Sequence, residues 1–297
     1  MTLRLVYRLY GGQNRKNRPD YFDKGTCLAS FLVAARTADA EAVVLADGPL
    51  PAPWRELAER GARVIDIPGG PVGLRGSYWS ALRLPDRLGW PDDDVVYFCE
   101  DDYLHRPEAF VALRSATESI PAAGYFALYA STPDNPTADG STPWGWRPAP
   151  DAMVDGQRWV NVPSTTSTHG VRLGALRADL GIIRQGMIPY PERFLDHEIL
   201  MVCQGALPYS PAEIVLGRAA TRFRTGYRAV AANCVLTPFR LAFELRALTR
   251  RRQPHLLYAS DPNLACHLET PMLAPQVDWP AVARDGEAAM QAALADA

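Results

Sequence analysis

The run VVYFCEDDYLH at residues 95–105 constrains this chain more than any other stretch. Val95, Val96, Tyr97 and Phe98 are β-branched or aromatic in succession and read as a buried strand. The strand leads straight into Glu100, Asp101 and Asp102, and Pro107 and Glu108 then suit the first turn of a helix. A strand ending in acids delivers them to its carboxyl edge, where open α/β sheets bind ligands. Oxygen donors gathered there suit a divalent cation such as Mg²⁺ or Mn²⁺, which in turn suits phosphate. Asp92, Asp93 and Asp94 lie just upstream of the strand and read as a solvated acidic turn.

The patterns around this strand alternate between periods 2 and 3.6. Residues 3–10 alternate as a first strand, closed by Gly11 and Gly12 and followed by a basic loop with Arg15, Lys16 and Arg18. Asp20 is the expected N-cap of a helix carrying Cys27, Leu28, Phe31, Leu32 and Ala35. A strand at 42–46, a helix at 54–60 and a strand at 63–67 complete a β-α-β-α-β run. Such a run predicts a parallel sheet covered by helices, with right-handed crossovers. A glycine-rich loop at 68–76 then leads into a helix at 77–84, and beyond the acidic strand come a helix at 107–119 and a strand at 125–130.

Residues 131–155, rich in Pro, Gly, Asp and Thr, read as a long functional or mobile loop that holds Trp144 and Trp146. A strand at 157–162 and the polar run 164–170 follow. Helices are expected at 174–185, over Leu195 to Ile199, along the amphipathic stretch 238–252, and in the alanine-rich C-terminus. No solenoid repeat or two-domain boundary is visible, so one domain spanning 1–297 is expected.

Composition excludes several functions. A formal net charge of -2 argues against a nucleic-acid binder that works by bulk charge. Five scattered cysteines show neither metal spacing nor a disulfide framework, so a reducing cytoplasm is the expected location. No apolar stretch is long enough to span a bilayer.

The order of parts resembles the GT-A-type glycosyltransferases, which use nucleotide-diphosphate sugars; the likeness covers nearly the whole layout and rests on short motifs. It implies a Rossmann-like, mainly parallel α/β sheet flanked by helices. Residues 1–130 would bind the nucleotide sugar and residues 131–297 the acceptor, a carbohydrate or lipid-linked glycan. The family's D-x-D-type motif maps onto Glu100, Asp101 and Asp102, with Glu in place of the first Asp. Asp102 is then the expected ligand of Mn²⁺ or Mg²⁺, and Glu100 the contact to ribose or to a metal-bound water. The resemblance also assigns the nucleoside to Tyr10, Gly11 and Asn14 after the first strand, to Asp47, and to the segment from Gly73 to Ser77 with Arg75. Asp47 reads equally well as a turn acid before Gly48. Lys24, with the basic loop, is a candidate for phosphate.

Inverting members carry an acidic pair downstream of the metal motif. Here it maps onto Asp196 and Glu198, with His197 between them, which leaves the base open between the two; Asp196 is favoured. The polar run ending in His169 falls where the family places donor-sugar and acceptor contacts, and His267 matches a C-terminal histidine that completes the metal shell. Trp144, Trp146 and Trp159 are candidates either for stacking on sugar rings or for the core. The leading expectation is thus a metal-dependent, inverting transferase. The alternatives are a sugar-phosphate nucleotidyltransferase and a carbohydrate-binding pseudoenzyme. The stretch 238–252 reads first as a helix packed on the core with a solvated basic face, the alternative being peripheral contact at an inner membrane face through Phe239 and Phe243 with the arginines.

Overall fold

Strand β1 (Leu3–Tyr10) divides its side chains between two cores. Leu3, Leu5, Tyr7 and Leu9 enter one and Val6 the other, as a period of two requires when both faces of a sheet are covered. It lies parallel between β2 (Glu41–Asp47) and β4 (Val95–Glu100), with Leu5 opposite Ala42 and Tyr97. β4 splits in the same way, Val95, Tyr97 and Cys99 against Val96 and Phe98, which is why it reads as an unbroken apolar run. Burying each such side chain contributes roughly 1.5–3 kcal/mol before entropy is set against it.

The computed structural model describes residues 1–13, 17–130, 143–188, 195–217 and 234–295. Asn14, Arg15, Lys16, residues 131–142 of the expected long loop and residues 189–193 ahead of Leu195 lie outside these. Among the described residues the main sheet also includes β3 (Arg63–Asp66), β6 (Ala123–Ala127), β7 (Ala152–Val154), β8 (Gln157–Asn161), β9 (His169–Arg172) and β10 (Leu256–Asp261). The order is β3-β2-β1-β4-β9-β6-β10-β8-β7, and only β8 and β9 run against the other strands. The mainly parallel sheet flanked by helices is therefore present, and it draws strands from both halves of the chain. A separate two-stranded sheet pairs β5 (Tyr103–His105) with β11 (Ala265–His267), setting His267 opposite Tyr103.

One face of the main sheet is covered by α1 (Lys24–Thr37), α2 (Ala52–Gly61), α4 (Ala109–Ser119) and α9 (Trp279–Ala295). The other is covered by α3 (Gly73–Arg87), α5 (Leu173–Gly186), α6 (Asp196–Cys203) and, after the short α7 (Pro211–Leu216), α8 (Thr237–Arg250). No helix among the described residues is long and apolar enough to cross a membrane.

Several expectations change. Asp23, not Asp20, caps α1, its carboxylate accepting the Thr26 N–H at 2.8 Å, while residues 19–22 form a turn of their own. Helix α3 starts inside the glycine-rich loop, because Gly73, at φ 76°, turns the chain into it. Strand β7 lies within the expected long loop, and β6 ends earlier than residue 130. Asp94 is not solvated: it is buried and accepts from the Thr2 N–H and from Arg4. Trp159 and Trp146 are buried and belong to the interior, while Trp144 is exposed. In α8, Phe243 is fully buried and Phe239 packs on the core, so neither is placed to enter a membrane.

Candidate functional site

β1 and β4 end side by side, with Arg8 opposite Glu100. Arg8 is the second of two arginines in β1, after Arg4. Its guanidinium, buried beneath the cleft, lies 2.8 Å from the Glu100 carboxylate and donates to Ser77 Oγ and Ser167 Oγ at 3.2 and 3.1 Å. It also lies over the Tyr78 ring. The sequence pattern holds no signal for Arg8, because the alternation of β1 sets it with Arg4 on the face opposite Leu3, Leu5, Tyr7 and Leu9.

Each of the three clustered acids has its own cation. Asp101 accepts from Lys24 Nζ at 2.6 Å and from the Tyr10 N–H at 2.9 Å. Burial holds the Asp101 carboxyl above the usual carboxylate range, although Lys24 and these hydrogen bonds pull the other way. Lys24 also donates to the Tyr10 and Gly12 carbonyls at 2.9 and 2.8 Å. Its three N–H groups thus all meet protein oxygens, and the side chain is fully buried. Lys24 is accordingly a strut beneath the 10–12 turn and is not placed to meet a phosphate. Gly11 is demanded by the same turn, since a Cβ there would lie 2.0 Å from the Pro49 carbonyl oxygen.

Asp102 accepts from Arg18 at 2.8 Å and lies 3.2 Å from His267 Nε2, both at Oδ2. Arg18 also donates to the Leu268 carbonyl at 2.7 Å, and His267 stacks on Tyr103 with centroids 4.9 Å apart. The β5–β11 pair therefore brings together two residues 165 positions apart. Among the described residues, no group of three or more His, Cys, Asp or Glu side chains is arranged to hold a metal ion. A two-residue donor set still fits Mg²⁺ or Mn²⁺, which take one or two carboxylates with phosphates and water completing the shell. Asp102 and His267 would form such a set only if Arg18 released the shared oxygen.

A cleft of about 340 Å³ opens over these strand ends, lined by Arg8, Tyr10, Asp47, Pro71, Gly73, Leu74, Ser77, Glu100 and Asp101. Asp47 reaches it while accepting the Val72 N–H at 2.7 Å, so its carboxylate ties the glycine-rich loop before α3 to the end of β2. Arg75, half-buried in the first turn of α3, is not among the lining residues.

A much smaller cavity of about 10 Å³, barely the size of one water, touches Tyr78, Tyr125, Thr166, Ser167, His169 and Asp196. Asp196 keeps part of its surface open yet is ringed by protein atoms. That burial raises its carboxyl to about 7, helped by the Glu100 and Glu198 charges, against its own backbone N–H. No cation pairs with it among the described residues. Glu198 is buried and lines neither cavity. His169 Nδ1 lies 3.2 Å from the Thr166 carbonyl, which assigns the proton to Nδ1 and leaves Nε2 as an acceptor with no partner among the described residues. Burial lowers its pKa to about 4, so the ring is neutral at pH 7. The polar run before it pins the acidic strand: Thr168 Oγ1 accepts the Glu100 N–H at 3.1 Å and Thr166 Oγ1 meets the Tyr103 hydroxyl at 2.7 Å.

No protein-family model matches the chain, and no curated protein does. Among solved structures, glucosyl-3-phosphoglycerate synthase from Mycobacterium tuberculosis, in complex with Mn²⁺, uridine diphosphate and glucosyl-3-phosphoglycerate, is 18% identical. That match covers 42% of this chain and 43% of the other, with a TM-score of 0.31. The chain thus spans less than half the length of that first match. S. aureus TarS is 12% identical over 84% of this chain and 71% of its own, with a TM-score of 0.41. 4-Diphosphocytidyl-2C-methyl-D-erythritol synthase is 10% identical over 67% of this chain and 83% of its own, with a TM-score of 0.37.

Proposed function

We propose that this chain is a glycosyltransferase that moves a sugar from a nucleotide-diphosphate donor onto a hydroxyl acceptor with inversion, and that residues 1–297 act as one catalytic domain. The observation that carries the reading is Asp196. A carboxyl group raised to about 7 stands beside an acid-floored cleft at the carboxyl edge of a mainly parallel sheet. A base titrating near working pH is the most effective acceptor of a hydroxyl proton.

In this mechanism the nucleoside occupies the cleft between Tyr10, Asp47 and Ser77. Arg8 holds Glu100 in one orientation, so that the carboxylate can accept from a ribose hydroxyl. Asp102 and His267 would hold a divalent cation, which supplies charge stabilisation to a departing diphosphate. Asp196 takes the proton from the acceptor hydroxyl as that oxygen attacks. His169, neutral and buried, is not placed to reach the sugar; its bond to the Thr166 carbonyl fixes the polar run beside Asp196. Glu198 is the second candidate for the base.

A thermal-shift panel of nucleoside diphosphates with and without Mn²⁺ tests the binding half, because a ligand of the folded state raises Tm. Release of nucleoside diphosphate from a nucleotide sugar tests the chemistry. Release of pyrophosphate from a nucleoside triphosphate plus a sugar phosphate would make it a nucleotidyltransferase instead. Binding without turnover of any donor would make it a pseudoenzyme.

A further inference from the structure

We infer that the hollow between α5 and α8 binds a small soluble polyanion, of the class of diphosphates and phosphate esters, at a place separate from the acid-floored cleft. The hollow measures about 390 Å³, within the size range of small-molecule sites. Arg246, Thr249, Arg250, Arg252 and Gln253 line it on one side and Ile182 of α5 on the other. Residues 249–253 run towards β10, whose first residue, Leu256, pairs with Ala123 at the start of β6. The hollow therefore sits at the amino edge of these parallel strands, whereas the cleft opens over the carboxyl ends of β1 and β4.

The arginines of this hollow are directed by the fold. Arg246 and Arg250 are four apart and share one face of α8. The Arg246 guanidinium lies across Gly181 of α5, where an added Cβ would stand 3.1 Å from Nη1. Arg250 donates to the Ala178 carbonyl at 3.1 Å and pairs with Asp179. Asp179 is fully buried and also accepts from the Tyr125 hydroxyl at 3.0 Å, with His255 Nδ1 at 2.6 Å. No carboxylate lines the hollow among the described residues, and Arg246 and Arg252 have no acidic partner among them. A cation in the last turn of a helix is favoured by the macrodipole, which by itself accounts for Arg250. It does not account for Arg246, a turn earlier and drawn over α5, or for Arg252, beyond the helix end. Two guanidiniums free of carboxylates, beside the Gln253 amide, present the forked N–H donors that phosphate oxygens take in pairs. The chain as a whole carries a net charge of -2, so the attraction is local to this hollow. This inference is independent of the transferase reading.

The test is titration calorimetry of the full chain with inorganic pyrophosphate, in chelator so that no divalent cation assists the cleft, against sodium chloride at matched ionic strength. Saturable binding is expected, weakening as added salt screens the charge. Arg246→Gln/Arg252→Gln should lower the affinity roughly 10- to 100-fold through lost charge-assisted hydrogen bonds. Arg36→Gln/Arg63→Gln, which removes two exposed arginines elsewhere, should leave it unchanged. Arg18→Gln should also leave it unchanged, because that guanidinium belongs to the acidic strand end. Should the double glutamine variant unfold, Gly181→Asp is a second route: it sets a carboxylate against Arg246 in place of a helix-interior glycine and should suppress binding. Heats no larger than chloride gives, or folded hollow variants that bind like the parent, would overturn the proposal. So would an equal loss in Arg36→Gln/Arg63→Gln, a loss confined to Arg18→Gln, or binding to phosphatidylglycerol vesicles without binding to pyrophosphate.

Discussion

The acidic strand end and the Asp196 corner both present carboxylates to the same region, yet they are built in opposite ways. Glu100, Asp101 and Asp102 are each matched by a cation, Arg8, Lys24 and Arg18, at 2.6–2.8 Å. Asp196 has no such partner among the described residues and carries the large upward shift. On the transferase reading proposed above, acids paired with cations serve as fixed charges for binding, and a desolvated acid with no cation among the described residues serves to gain and lose a proton. The cluster's own neutralisation is complete without a metal ion, so any role for a dication rests on the donor's phosphates.

The sharpest way to break this contrast is Asp196→Asn. Turnover is expected to fall by roughly two to four orders of magnitude, the usual worth of a positioned base, with donor affinity measured by calorimetry unchanged. If Glu198→Gln is the crippling substitution and Asp196→Asn is silent, the base is Glu198. The same asparagine should also raise Tm at pH 8. A carboxyl whose folded pKa is raised from 3.8 to about 7 gives the folded state more protons than the unfolded one across that window, so stability falls as pH rises through it. Removing the ionisable group removes that loss.

On the cluster side, Lys24→Met should act on folding first. It strips a largely buried carboxylate, Asp101, of its cation, a change that costs about 3–5 kcal/mol where measured in other buried pairs. Urea denaturation would show it as a lower midpoint with unchanged slope. A variant of parental stability with weakened nucleotide binding would mean that Lys24 serves the ligand directly.

Sequence alone disclosed the strand–acid junction because its parts are contiguous: the apolar run of β4 and its three acids need no long-range knowledge. The first three strands and their helices were readable for the same reason, each period being local. What could not be read was pairing at a distance. Arg8 belongs with Glu100 only because β1 and β4 lie in one register, and β11 exists only because β5 offers it an edge. Lys24 looked like a phosphate ligand because charge is visible in a sequence and burial is not. Strand β10 was missed because a short buried run without alternation does not separate strand from helix.

The pH profile sharpens the comparison at smaller scale. Below about pH 7 the Asp196 carboxyl is protonated and cannot accept, so kcat/KM should fall roughly tenfold per pH unit below that value. His169 is neutral until about pH 4 and adds no second limb above it. The slope should vanish in Asp196→Asn, whose residual rate is flat. A parent enzyme whose rate is itself flat between pH 5 and 7 would remove Asp196 from the role of base.

The smallest of these effects is expected at His267, and it probes whether the paired cluster also holds a metal. Its Nε2 and Arg18 meet the same Asp102 oxygen, so a cation bound there must displace the guanidinium while keeping the imidazole. In Asp102→Ala the carboxylate is gone, and nucleoside diphosphate binding should lose its dependence on Mn²⁺ altogether. In His267→Ala the carboxylate stays but one donor is lost, and affinity should drop by roughly ten- to a hundredfold with Mn²⁺ present. The drop should be smaller with Mg²⁺, a harder cation that relies less on nitrogen. Titration calorimetry with each metal, on the nucleotide that gives the largest thermal shift, reads all of these values. Were Mn²⁺ to bind equally well to parent and His267→Ala, the histidine would serve only to orient Asp102. Were the metal to make no difference to the parent protein, Arg18 would be the cation that faces the diphosphate. Arg18→Gln should then cost the affinity that metal removal did not.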